Sequence, residues 1–127
     1  MAQDVKIGHL ITPMLYKFKS KVTGDLIMLQ PNGRRVLEII GKIDDTSNGS
    51  DADKGIILPE QMPAALVALA AAVAQEAADR KAALADALAH NLPPPRFEAI
   101  SLRQRALPFI EMLQRCEKAG QAIVWGV

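Results

Sequence analysis

Between Pro63 and Pro93 lie 29 consecutive residues without glycine or proline, most of them alanine or leucine, and this run constrains the fold more than any other feature. Alanine and leucine are the strongest helix formers. Leu66, Leu69, Val73, Leu84 and Leu88 recur along one side, so the run predicts a single helix reaching to about Asn91. Such a helix would be about 42 Å long, more than a compact domain of 127 residues needs. Arg80 and Lys81 interrupt the apolar side midway, and Glu76 stands four residues before Arg80, the favourable spacing for an ion pair. The first half is therefore expected to pack on the core. The second half is expected to project into solvent or to pack on another copy of the chain.

The rest of the chain supplies the other partners of a core. Leu15 to Ser20 alternates, with Tyr16 and Phe18 on one face and Lys17 and Lys19 on the other, the pattern of a half-buried strand. A turn over 21–25 leads to Leu26–Leu29, which reads as a returning strand, because Pro31 is well placed to open a helix over Pro31–Ile40 that ends at Gly41. Lys42 to Gly55 is rich in Asp, Ser, Asn and Gly and is expected to be a mobile loop. Leu92-Pro93-Pro94-Pro95 cannot continue a helix and reads as an extended linker. A last helix is expected from Leu102 to Ala119, kinked at Pro108 and closed by Gly120, before a strand at Ile123, Val124, Trp125 and Val127. The fold class is thus α+β: a small two- or three-stranded, mainly antiparallel sheet packed against three helices. Residues 1–13 show no sustained period and are expected to be an extension outside a single domain over 14–127.

Several stretches together resemble a known family. They are Met14–Lys21, Gly24–Leu29, Gln61–Ala65, Ser101–Ala106 and Ile123–Val127, of which Ser-Leu-Arg-Gln-Arg and Val-Trp-Gly are the most specific. The chain is similar over nearly its whole length from Met14 to small bacterial proteins, mostly proteobacterial, grouped as domain of unknown function 1840. The resemblance implies no reaction, cofactor or catalytic residue.

Composition narrows the functional classes. A formal net charge of +1 and 4% aromatic residues give little pull toward nucleic acid. One cysteine, Cys116, excludes an internal disulfide and fits a cytoplasmic protein; on the apolar side of the last helix it is expected to be a buried structural thiol. No run is expected to span a membrane. His9 and His90 stand far apart without companions at ligand spacing, so no metal or cofactor is expected. Asp44 to Gly55 imitates a calcium loop only in part, since Gly55 stands where a bidentate glutamate is needed. No paired carboxylates or histidine-centred set supports an enzyme, which ranks last.

One local feature does suggest binding. Ser101 and Gln104 form the signature of a reciprocal capping box, yet Arg103 and Arg105 place positive charge at the helix end that favours negative charge. Arg34 and Arg35 occupy the first turns of the Pro31 helix. If the last strand runs beside and antiparallel to the first, both helix starts fall at one edge of the sheet. Ser101, Arg103, Arg105, Arg34 and Arg35 would then suit a small anion or an acidic peptide. The competing reading pairs Arg103 and Arg105 with the chain's own Glu98, Asp25 or Glu111. The leading functional expectation is a small non-enzymatic interaction module, a homo-oligomer assembled through the Ala-rich helix.

Overall fold

A computed structural model describes residues 15–43 and 54–126. The strands are β1 (Leu15–Lys19), β2 (Leu26–Leu29), β3 (Gly55–Ile57) and β4 (Ile123–Trp125); the helices are α1 (Gln30–Ile39), α2 (Met62–Ala89) and α3 (Leu102–Ala119). A short 3-10 turn, Pro59–Gln61, leads into α2. The sheet has the order β2-β1-β4-β3, with every neighbouring pair antiparallel. The α+β class holds with three helices, but the sheet has four strands where two or three are expected. The extra one is β3, three residues long at the sheet edge. Its Gly55-Ile56-Ile57 is too short to show a period of two, and it begins inside the polar stretch over 42–55 that otherwise reads as loop.

Both ends of that stretch are tied down. Ile43 is buried in the core, and Gly55 pairs with Trp125 in the sheet. The calcium-like residues Asp44 to Asn48, the extension over 1–13 and His9 lie outside the described residues.

The core forms on one face of the sheet. Phe18 sits at its centre, with ring centroids 4.9 Å from Phe109 in an edge-to-face contact and 5.9 Å from Trp125. Val36 and Leu37 of α1, Met62 and Leu69 of α2, and Leu113 and Cys116 of α3 complete it, all fully buried. Cys116 is thus the buried thiol expected, and its Sγ donates to Ser20 Oγ at 3.2 Å. On the other face, Leu15, Ile27, Leu29 and Ile56 remain exposed.

Helix ends follow their local chemistry. Pro31 lies in the first turn of α1. Asn91, at φ 54°, takes the left-handed conformation that ends α2, while the Leu92 N–H donates back to the Ala87 carbonyl at 2.8 Å. Gly120, at φ 67°, does the same for α3. Pro108 sits inside α3, which continues through it.

α2 matches the long helix expected, and its burial is uneven. Met62, Ala65 and Leu69 are buried, whereas Val67 is 70% and Leu88 79% exposed. Beyond Asn91 the chain turns back along α2, placing Arg80 5.0 Å from the centroid of the Phe97 ring and Leu102 against Glu76. Ala87 is buried, but Leu84, Leu88 and Leu92 stay exposed. Pro59–Ala89 is also long and apolar enough to cross a membrane by length and composition, with 17% of its most apolar window buried. The expectation that no run reaches that length is corrected on this point; the alanines raise mean hydropathy without forming a continuous leucine-rich face.

Close backbone approach fixes α1 on the sheet. A Cβ added at Gly33 would lie 2.8 Å from Tyr16 Cγ and 2.9 Å from Tyr16 Cβ, a clash with the root of a buried ring. Gly33→Ala is expected to lower unfolding stability by about 1–3 kcal/mol in urea titration. Gly24→Ala, where a Cβ meets nothing within 4 Å, is expected to change it by less than about 0.5 kcal/mol.

Candidate functional site

The start of α3 is capped twice. The Gln104 N–H donates to Ser101 Oγ at 3.2 Å, and the Ser101 N–H donates to Gln104 Oε1 at 3.1 Å, which closes the capping box. The next free donor, the Leu102 N–H, donates to Glu76 Oε1 at 2.8 Å. Glu76 comes from the middle of α2, on the side shared with Leu69 and Val73, and it also pairs with Arg80 at 3.5 Å. A carboxylate at a helix N-terminus is the charge that the helix dipole favours. The position that an external anion would take beside the first turn is therefore held by the chain's own acid.

The arginines divide into three groups. Arg105 and Arg35 line one cleft of about 210 Å³ with Asn32, Glu76, Glu98 and Leu102, and the first turns of α1 and α3 both contribute to it. The strand geometry that this convergence requires is present, since β4 lies beside β1 and antiparallel to it. Within the cleft Arg105 pairs with Glu98 at 3.2 Å, and its Nε donates to the Ile100 carbonyl at 3.3 Å. Ser101 and Arg103 instead line a separate groove of about 500 Å³ against α2, beside Val73, Ala77 and Leu84. Arg34 pairs with Glu38 one turn along α1 at 3.8 Å.

Of the five candidates, then, two share a cleft. Arg105 forms the pairing with Glu98 that the sequence offers as the alternative to ligand binding. The pair is part-exposed, at 33% and 69% of the side chains, so it contributes about 0.2–1 kcal/mol at most. The residue missed by sequence reasoning is Glu76. Its pairing with Arg80 is legible from spacing, but its bond to Leu102 spans 26 positions and needs the return of the linker along α2.

Other chemistry is sparse. Among the described residues, no group of three His, Cys, Asp or Glu side chains is placed to hold a metal ion. His90 Nδ1 lies 2.8 Å from the Asp86 carbonyl and 3.3 Å from Asp86 Oδ1, at the exposed end of α2.

The family model described as "Domain of unknown function (DUF1840)" matches residues 14–125. The chain belongs to this family. Comparison with curated proteins and with solved structures found no match. Membership in the DUF1840 family thus agrees with the resemblance read from Ser101–Ala106 and Ile123–Trp125, and it carries no activity with it.

The Glu76 contact has a measurable consequence. Glu76→Ala leaves the buried Leu102 amide without an acceptor and is expected to cost about 1–3 kcal/mol of stability. Glu76→Gln, which keeps a carbonyl oxygen there, is expected to lose about half as much in the same urea titration, and chemical shifts should move most at Leu102 and Arg103.

Proposed function

We propose that the protein is a small non-enzymatic interaction module that self-associates through α2. The observation that carries this reading is the side of that helix left exposed among the described residues. Val67, Ala71, Ala74, Ala78 and Ala85 follow one another at intervals of three, four and seven residues, with Lys81 inside the longest interval, and all are exposed. This spacing places them on one stripe, opposite the buried Met62, Ala65 and Leu69. Small side chains let two helix backbones approach closely, and the axial separation of packed helices is set by the side chains between them. A second copy related by a two-fold axis would present the same stripe and cover it.

The anion-binding alternative rests on the cleft shared by Arg35 and Arg105. It is the weaker reading, because Glu76 and Glu98 already supply negative charge there.

Light scattering coupled to gel filtration tests the proposal. The wild-type protein is expected to have twice the chain mass. Ala74→Glu and Ala78→Glu, which bring unpaired charge into the helix contact, are expected to give a folded monomer and weaken assembly about a hundredfold or more. A wild-type monomer at millimolar concentration would overturn the reading. So would assembly that survives both substitutions, or partition of α2 into lipid vesicles in place of self-association.

A further inference from the structure

The linker between α2 and α3 carries three consecutive prolines, Pro93, Pro94 and Pro95, between Leu92 and Arg96. The pyrrolidine ring holds φ at about −65°, and a residue that precedes proline is driven to extended ψ. Both conditions apply at Pro93 and Pro94, and the second applies at Leu92, so covalent geometry alone sets a turn of left-handed polyproline helix. Residues 92–98 accordingly belong to neither helix nor strand. Both ends of the segment are held. The Leu92 N–H donates to the Ala87 carbonyl at 2.8 Å, Arg80 lies 5.0 Å from the centroid of the Phe97 ring, and Glu98 pairs with Arg105 at 3.2 Å. Between these anchors Pro93, Pro94 and Arg96 are exposed and Pro95 is half-buried. A segment that already has one shape loses little conformational entropy when a partner binds it.

The backbone decides which kind of partner fits. Proline has no N–H, and the Leu92 N–H is used at the end of α2, so residues 92–95 offer no free donor. Strand addition to a sheet edge is thereby excluded, because it needs donors as well as acceptors along the segment. The carbonyls of residues 92–95 accept no hydrogen bond among the described residues. A partner must therefore bring flat apolar surface to the proline rings and N–H or O–H donors to these carbonyls, and tryptophan and tyrosine supply both. Arg96 stands three residues after Pro93, one turn along the same edge of the polyproline helix. It forms no ion pair among the described residues, and Glu98, the nearest acid along the chain, is engaged by Arg105. Its charge calls for an acid beside the aromatic surface. Because arginine stands where a Pro-x-x-Pro ligand has its second proline, the segment matches a groove that grips one contiguous proline pair.

We propose that the linker over 92–96 is a docking segment for another protein, a domain whose groove holds Pro93 and Pro94 between tryptophan and tyrosine side chains and pairs Arg96 with a carboxylate. These residues lie outside α2, so failure of self-association leaves the proposal standing.

The test titrates isotopically labelled full-length protein with an isolated WW domain that carries such an aromatic groove and an acidic residue beside it, and with the same domain after its groove tryptophan is changed to alanine. The intact domain is expected to shift the amide resonances of Leu92, Arg96 and Phe97, and the altered domain to leave them in place. The double variant Pro93→Ala with Pro94→Ala is expected to weaken binding about tenfold or more, through lost ring contacts and lost preorganisation, while the core resonances of Phe18 and Trp125 stay where they are. Should that variant lose its fold, Arg96→Glu, a change at an exposed side chain, is expected to weaken binding by about tenfold. No binding of the intact domain at millimolar concentration, binding that survives both the proline and the arginine substitutions, or shifts confined to residues outside 91–98 would overturn the proposal.

Discussion

The architecture is governed by a mismatch of lengths. α2 extends for 28 residues, about 42 Å, while the sheet it covers is built from strands of three to five residues. A core set by such short strands can bury only the part of α2 that lies over it. Met62, Ala65 and Leu69 occupy that part, next to Phe109 and Leu113 of α3. Further along, the helix has the returning linker on one side and no other element of the described chain on the opposite one. Isolated helical segments gain little stability in water without tertiary packing. The second half of α2 therefore depends on what covers it.

Glu76 stands where these two regimes meet. It lies one turn before the charged stretch of Asp79, Arg80 and Lys81, and it supplies the acceptor for the first amide of α3. One side chain thus joins the middle of the long helix to the start of the next. Arg80 in turn neutralises Glu76 and stacks on Phe97 of the linker. The arginine-bearing helix start, which looks unbalanced along the chain, is balanced in space by an acid from another helix.

Strong local patterns made much of the fold legible from sequence. The alternation of Tyr16 to Lys19, the Pro31 helix start, the capping box at Ser101 and Gln104, and the glycine end at Gly120 each declare themselves within a few residues. β3 does not, because Gly55-Ile56-Ile57 becomes a strand only through pairing with Trp125, 70 positions away in the case of Gly55. The outward face of the sheet was half legible: the lysine side of β1 is visible in sequence, but the joining of Leu15, Ile27, Leu29 and Ile56 on one face depends on register across strands. At the arginine cleft, sequence anticipated the convergence of Arg35 and Arg105. It did not anticipate that Arg103 and Ser101 face another groove, since neighbouring helix positions diverge by about 100°.

Hydrogen exchange along α2 tests the central claim most directly, because it reads out residue by residue whether the projecting half is covered. Self-association predicts that amide protection over 78–89 rises with protein concentration while protection at Leu69 and Leu113 stays constant. Protection over 78–89 that is the same in dilute and concentrated solution would contradict it.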